Sequence, residues 1–289
     1  MTFNDPLSPH DFVPKQALSP TPELYDLLVG DTMEHLARAS LNKLPRLSSG
    51  AVIHDNGCGT GAATAAIMDL ADRSGAEIVV EGTDISDDAL AVYRNNIVAK
   101  GWSASARQMD SQQLSFADAT FTHSMCNALL FVLPGDGVDA LREAHRCLKP
   151  GGVLVVNSWQ YVPNMEPVRI AARVTRPQGT AVPREGLDKW SDPDFLRGVV
   201  VRGGFDKDRV ALSQADVDVT TPELIRYATM LWSFMGGTAE TGWLTSDVDK
   251  WDEAVRVVVD ELRKTRGFQE MGDGRATLKF VANVAVATK

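Results

Sequence analysis

The chain has 289 residues, 44% of them hydrophobic, and a formal net charge of -9, values typical of a folded globular protein. The acidic balance and the lack of a lysine- and arginine-rich cluster argue against a nucleic-acid partner. Cys58, Cys126 and Cys147 are widely spaced and form no CxxC pair, which argues against a disulfide framework or a metal site.

The length predicts one domain with a sizeable insertion. No stretch approaches the roughly 20 apolar residues of a membrane helix, and the N-terminus lacks the pattern of a signal peptide. We therefore expect a cytoplasmic protein with no membrane partner.

Residues 1–50 are predicted to form an N-terminal arm followed by lid helices. Five prolines favour an extended backbone over residues 1–22, namely Pro6, Pro9, Pro14, Pro20 and Pro22. The apolar spacing from Leu24 to Leu41 then predicts one or two helices.

From residue 51 onwards, short apolar strands alternate with helices. Strands are predicted at 51–55, 78–84, 106–109, 121–127 and 153–156, and helices at 62–73, 86–100 and 138–148. Short strands that are apolar on both faces belong in a parallel sheet covered by helices.

The C-terminal part is less regular. A helix is predicted at 195–201, strands at 210–219 and 277–286, and two helical stretches at 222–235 and 247–266.

The sharpest motif is the loop Asp55-Asn-Gly57-Cys-Gly59-Thr60-Gly61, between a strand and a helix. Its glycines let the backbone turn tightly and approach a ligand, and the helix offers free N–H groups to an anionic group. A glycine-rich turn with only a packing role is the alternative. The loop also satisfies the dinucleotide pattern G-x-G-x-x-A, so a nicotinamide cofactor is a rival.

Asp84 ends the second predicted strand, where a carboxylate can accept hydrogen bonds from both hydroxyls of a ribose. S-adenosylmethionine (SAM) and NAD both carry that ribose, so Asp84 does not separate them. A helix-capping aspartate is the alternative, because Asp84 stands two residues before Ser86.

The segment Gln108-Met109-Asp110-Ser111 ends the third predicted strand. We expect Asp110 to accept the adenine amino group and Met109 and Ile85 to enclose the ring. Asp110 alone is weak support, since it fits a plain turn residue as well.

Together with the turn Leu148-Lys-Pro-Gly-Gly152, these motifs resemble the class I SAM-dependent methyltransferase series over residues 51–158. The chain is most similar to the menaquinone-biosynthesis-type branch and to fungal natural-product thiol and O-methyltransferases. Three segments carry that closer resemblance: Asp55–Gly61, Gly101-Trp102 and Phe121-Thr-His123.

The resemblance implies an α/β, Rossmann-like fold with a seven-stranded, mostly parallel sheet and an antiparallel last strand. Helices cover both faces, and a helical cap covers the substrate. The methyltransferase domain is expected to span 51–289, with cap insertions at about 159–190 and 221–266.

SAM is the implied cofactor. The residues expected to bind it are Tyr25, Asp55, Gly57, Gly59, Thr60, Gly61, Asp84, Ile85, Met109, Asp110, Ser111 and Asn127. Tyr25 resembles a lid residue that closes on the cofactor. Asn127 ends the fourth predicted strand. An ordinary role at the strand end is as good an interpretation as a cofactor contact.

Met and aromatic residues in the cap insertions are expected to line the acceptor pocket, among them Trp159, Met165, Trp232 and Met235. Many such residues in any protein belong simply to the core. His54 and His123 lie within strands and are interpreted as structural, so no catalytic base is assigned.

The expected reaction is methyl transfer to a heteroatom of a small, largely apolar, natural-product-like molecule. A thiol or hydroxyl is favoured because a thiol needs little help from a base. Three alternatives remain: a SAM-binding regulatory subunit, an enzyme that uses SAM for another reaction, and an NAD-dependent oxidoreductase. An oxidoreductase would need a proton donor such as a Tyr-x-x-x-Lys motif, and the sequence has no such motif. The sequence leaves the oligomeric state open.

Overall fold

The computed structural model describes residues 12–19, 21–44, 47–237 and 242–289. The chain divides into two compact units. The sheet unit comprises 31–160, 189–217 and 281–289, and the helical unit comprises 1–30, 161–188 and 218–280. Most of the predicted N-terminal arm, and residues 238–241 of the second predicted cap insertion, lie outside the described residues.

One sheet contains eight strands. They are β1 (Ala51–Asn56), β2 (Ile78–Asp84), β3 (Ala104–Gln108), β4 (Phe121–Cys126), β5 (Leu148–Tyr161), β6 (Val210–Thr220), β7 (Gln269–Glu270) and β8 (Ala276–Thr288). The order is β3-β2-β1-β4-β5-β8-β6, with β7 pairing to β8. The pairs β1–β2, β1–β4, β2–β3 and β4–β5 are all parallel, so these strands end at one edge of the sheet.

β8 runs antiparallel to its neighbours. Gly151 N–H donates to the Lys289 carbonyl and Lys289 N–H to the Gly152 carbonyl, so the start of β5 faces the end of β8. Thr221 N–H donates to the Ala276 carbonyl, which places the end of β6 beside the start of β8. The predicted antiparallel last strand is confirmed, as is the Rossmann-like class.

The predicted count of seven strands is wrong. The strand that was not predicted is β7. It has only two residues, which pair antiparallel with Thr277 and Ala276 of β8. Two residues are too few to give an alternating apolar pattern, so periodicity could not reveal this strand.

The helices of the sheet unit are α2 (Thr32–Leu41), α3 (Ala62–Ser74), α4 (Asp87–Lys100), α5 (Val138–Cys147) and α7 (Pro193–Arg202). α2 packs on α3, and α5 packs on α7. Ser86 caps α4 by accepting the Ala89 N–H at 3.2 Å, and Gly101 ends the helix in a left-handed conformation.

Two predicted boundaries need correction. β5 begins at Leu148 rather than at Val153, because Gly151 and Gly152 bond to the backbone of Lys289 instead of forming a free turn. The predicted helical stretch at 247–266 consists of two helices, since the backbone at Lys250 leaves the helical conformation.

The helical unit contains α1 (Pro22–Val29), α6 (Met165–Thr175), α8 (Leu224–Met235), α9 (Thr245–Asp249) and α10 (Trp251–Leu262). α10 packs against α6 and α8. A buried ion pair joins the residue after α6 to α9: Arg176 Nε and Nη2 donate to the two carboxylate oxygens of Asp247, each at 2.9 Å. Within the described chain, none of the helices is long and apolar enough to cross a bilayer.

Candidate cofactor site

The loop from Gly57 to Gly61 joins β1 to α3 in the sheet unit, and its glycines have different roles. A Cβ on Gly61 (φ 104°) would lie 2.6 Å from the Tyr93 ring, so packing excludes a side chain there. A Cβ on Gly59 (φ 53°) would have no atom within 4 Å, so this backbone is open to a ligand. Gly61 precedes α3 and has no side chain to cap the first turn, where backbone N–H groups favour an anionic group.

Asp84 is held in place by the backbone at the end of β2. Its Oδ2 accepts the Gly59 N–H at 2.9 Å, and its Oδ1 accepts the Ser86 N–H at 2.9 Å. Ser86, not Asp84, supplies the side-chain cap of α4. Each carboxylate oxygen keeps a further lone pair, so an oriented carboxylate is available for two ribose hydroxyls.

Asp55, at the end of β1, is fully buried. Its Oδ2 accepts the Thr64 hydroxyl at 2.7 Å, and Thr64 Oγ1 lies 2.7 Å from the Tyr93 hydroxyl. Burial raises the pKa of Asp55 to about 6. Within the described part of the chain, Oδ1 has no hydrogen-bond partner, which leaves an acceptor for a ligand ammonium group.

The residues expected around adenine lie at the ends of β2 and β3. Met109 N–H donates to the Asp84 carbonyl at 3.0 Å, so these two strand ends are in direct contact. The Ile85 side chain is 51% exposed at this edge. Asp110 Oδ1 accepts the Gln112 N–H at 2.8 Å, which gives Asp110 a turn role besides any ligand contact. Ser111 beside it is buried.

The backbone of the remaining loop residues is bonded within the protein. Gly57 N–H donates to the Thr83 carbonyl at 2.8 Å, and the Thr60 carbonyl accepts the Asn96 side chain at 2.9 Å. These bonds fix the loop, so Gly57 and Thr60 support its shape even without touching a ligand.

Both polar groups of the Asn127 side chain bond to the protein. Nδ2 donates to the Met33 carbonyl at 3.0 Å, and Oδ1 accepts Asn157 Nδ2 at 2.8 Å. The amide therefore ties α2 to the ends of β4 and β5. Sequence reasoning missed this role and missed Asn157, and a cofactor contact by Asn127 stays a prediction.

Neither strand histidine has the features of a base. His54 Nε2 lies 2.9 Å from Thr83 Oγ1, its ring stacks on Phe121, and burial lowers its pKa to about 3. Burial also lowers the pKa of His123, whose Nδ1 lies 2.9 Å from Thr122 Oγ1. Burial thus makes both imidazoles weaker bases than a free histidine.

Cys126, next to Asn127, is not a ready nucleophile. It is fully buried at the end of β4, and burial raises the pKa of its thiol to about 12. A thiol with that pKa is protonated near neutral pH, and only the thiolate is strongly nucleophilic.

The other predicted residues lie mostly in the helical unit. The Tyr25 ring packs 6.3 Å from the Phe234 ring, and Met165 and Met235 are partly buried there. Trp232 is fully buried, with its ring 5.4 Å from the Arg176 guanidinium and 5.7 Å from the Trp243 ring. These contacts favour a core role for Trp232. Trp159 is partly buried and belongs to the sheet unit.

The site in the sheet unit fits SAM on its own features. Asp84 offers an oriented carboxylate, Gly59 an open backbone, Asp55 an unpartnered buried oxygen and Ile85 an exposed apolar surface. Those groups suit a ribose, an amino-acid part and an adenine. Among the described residues, no group of three histidine, cysteine or acidic side chains could hold a metal ion.

Comparison with known proteins finds similarity to methyltransferases. Residues 53–152 match the methyltransferase domain family. The chain is 27% identical to the methyltransferase tpcH of Aspergillus fumigatus over 165 residues, 54% of this chain and 57% of that protein. It is 22% identical to the methyltransferase ktnA of Aspergillus niger over 261 residues, 82% of this chain and 84% of that protein.

A solved structure supports the fold. The crystal structure of a putative methyltransferase from Bacillus halodurans has a TM-score of 0.54 and 19% identity, covering 87% of this chain and 98% of the other. The predicted similarity to fungal methyltransferases is confirmed, whereas the menaquinone-biosynthesis-type branch stays a prediction. Residues 53–152 thus match a methyltransferase domain, and the chain shares its fold with a solved methyltransferase structure.

Proposed function

We propose that the protein transfers the methyl group of SAM to a thiol or an acidic hydroxyl of a small, largely apolar molecule. SAM binding is supported above all by the Asp84 carboxylate, which accepts hydrogen bonds from the Gly59 and Ser86 N–H groups. When bound, SAM supplies a methyl group on a sulfonium centre and leaves as S-adenosylhomocysteine after transfer.

The preference for a thiol or acidic hydroxyl rests on the candidate bases. His54 is buried and bonded to Thr83, and burial lowers the pKa values of both His54 and His123. A partly ionised acceptor needs no base, because its deprotonated fraction is already the attacking nucleophile. Alignment in a water-poor site then supplies most of the acceleration.

Similarity to the two Aspergillus methyltransferases supports methyl transfer, and the natural-product character of the acceptor is part of the proposal. The chain spans 57% of the length of tpcH and 84% of that of ktnA. The activity and acceptor of this protein are therefore proposals.

The test is transfer of radiolabelled methyl from SAM to three acceptors with the same ring: 4-methylbenzenethiol, 4-methylphenol and 4-methylbenzylamine, whose amine is protonated near neutral pH. The thiol is expected to react fastest and the amine slowest, with product formation abolished in Asp84→Ala. SAM binding without transfer to any of the three would favour the regulatory-subunit alternative. Faster transfer to the amine would contradict the proposed acceptor class.

A further inference from the structure

Tyr93 on α4 is linked to the candidate cofactor site through one intermediate side chain. Thr64 Oγ1 donates to Asp55 Oδ2 at 2.7 Å, and the Tyr93 hydroxyl lies 2.7 Å from the same Thr64 oxygen. All three residues belong to the sheet unit and are fully buried. Their hydrogen bonds therefore face little competition from bulk water.

The direction of these hydrogen bonds follows from the protons available. A threonine hydroxyl has a single proton, and Thr64 gives it to Asp55. The Thr64 oxygen must then accept the proton of the Tyr93 hydroxyl. Burial raises the pKa of Tyr93, so its hydroxyl keeps this proton near neutral pH. Donation thus runs from Tyr93 to Thr64 to Asp55, and each bond strengthens the next.

This series of donors occupies only one of the two carboxylate oxygens of Asp55. Oδ2 accepts Thr64, whereas Oδ1 is buried and has no partner in the part of the chain that the structure describes. A buried carboxylate oxygen without a donor is costly in the ligand-free protein. Because the bond at Oδ2 restricts rotation of the carboxylate, it also fixes the position of Oδ1.

Two glycines make room for the Tyr93 side chain. Gly82 lies beside Asp55 in the register of β1 and β2, and a Cβ there would come within 2.8 Å of the Tyr93 hydroxyl oxygen. A Cβ on Gly61 in the cofactor loop would clash with the Tyr93 ring. Glycine inside a strand weakens it and often marks the close approach of another group. Tyr93 thus packs against both the cofactor loop and the strand that ends at Asp84.

We propose that Tyr93 is a positioning residue for SAM binding. Acting through Thr64, it orients Asp55 so that the unpartnered Oδ1 accepts the ammonium group of the cofactor. Tyr93 is itself fully buried, so it acts on the cofactor only through these two side chains. The inference rests on SAM as the cofactor and does not depend on the methyl acceptor.

The test is calorimetric titration of ligands with and without the ammonium group into the wild type and Tyr93→Phe. S-adenosylhomocysteine carries this group, whereas methylthioadenosine lacks the whole amino-acid part. Tyr93→Phe removes the hydroxyl and keeps the ring against the two glycines. It should weaken S-adenosylhomocysteine binding by roughly 5-fold or more and leave methylthioadenosine binding unchanged. Decarboxylated SAM, which keeps the ammonium group, should lose affinity like S-adenosylhomocysteine.

Three further variants serve as controls. Thr64→Val should weaken S-adenosylhomocysteine binding at least as much, and adding Tyr93→Phe to it should have no further effect. Thr64→Ser keeps the hydroxyl and should retain the wild-type discrimination between the two ligands. In the helical unit, Tyr227→Phe removes a buried hydroxyl that accepts Asn164 Nδ2 at 2.8 Å, and it should change neither affinity.

An equal loss of affinity for both ligands in Tyr93→Phe would show that Tyr93 supports only the shape of the loop, and would overturn the inference. Unchanged binding of both ligands in this variant would also overturn it. Equal wild-type affinity for S-adenosylhomocysteine and methylthioadenosine would reject the contact between Asp55 and the ammonium group. Since no acceptor is present, these outcomes are independent of whether the proposed methyl transfer occurs.

Discussion

Asp55 and Asp84 end neighbouring strands, yet their carboxylates have different surroundings. Asp84 is partly exposed and accepts two backbone N–H groups, which stabilise a negative charge. Asp55 is fully buried, accepts the Thr64 hydroxyl and keeps one unpartnered oxygen. At the scale of single residues, the candidate site thus combines a partly exposed, charged acceptor with a fully buried carboxylate.

The buried Asp55 predicts a pH-dependent stability. Its folded pKa of about 6 exceeds the ordinary value of 3.8, so the folded state favours the protonated form. Stability should therefore fall as pH rises from about 4 to about 6, with the charged form costing on the order of 3 kcal/mol above that range. Asp55→Asn should flatten this dependence and raise stability at pH 7, while weakening SAM binding.

Thermal unfolding without ligand from about pH 4 to about pH 8 measures the pH dependence of stability. Calorimetry with SAM measures the change in SAM affinity. Exposed Asp88 offers the control, since Asp88→Asn should change neither the pH dependence of stability nor the SAM affinity. Loss of stability in Asp55→Asn at pH 7 would show that the carboxylate helps to hold the ligand-free fold.

At the scale of the element, variants of helix α8 test which of its side chains belong to the core. Trp232 is fully buried against Arg176 and Trp243, whereas Met235 at the helix end is only partly buried. Trp232→Ala should destabilise the protein by roughly 3–5 kcal/mol because it empties a packed core position. Met235→Ala should cost less, and exposed Ile225→Ala almost nothing.

Denaturant unfolding of the three α8 variants measures these differences. If Trp232 instead lined the acceptor pocket, as predicted from the sequence, Trp232→Ala would raise the acceptor KM. A Trp232→Ala protein as stable as wild type, with a raised acceptor KM and unchanged SAM affinity, would restore that acceptor role.

Sequence patterns predicted the elements around the cofactor site better than those of the helical unit. β1, α3, β2 and α4 have clear apolar runs and caps, so their order follows from local pattern alone. α6 was missed as a helix because Arg169, on its buried face, interrupts the apolar periodicity. An arginine becomes buried only through long-range partners, here Asp188, which local sequence does not reveal.

The same limit applies to the candidate site. Asp84 and the glycines were predictable because the motif itself requires them. The Thr64–Tyr93 contact behind Asp55 and the Asn157 bond to Asn127 join residues about 30 positions apart, so only the folded chain brings them together.

On the scale of the whole molecule, the strand order accounts for the position of the cofactor site. β1, β2 and β3 are adjacent and parallel, so Gly59, Asp84 and Met109 meet where these strands end. Ligands of open α/β sheets bind at that edge. SAM and NAD both suit such an edge, which makes the choice between them the central question.

Calorimetric titration of SAM, S-adenosylhomocysteine and NAD into the full chain tests that choice most directly. We expect SAM and S-adenosylhomocysteine to bind and NAD not to bind. Asp84→Ala should weaken SAM binding by roughly 100-fold or more, because two hydrogen bonds to a charged group are lost. Asp88→Ala should bind SAM like the wild type. Micromolar binding of NAD with no binding of SAM would contradict the assignment.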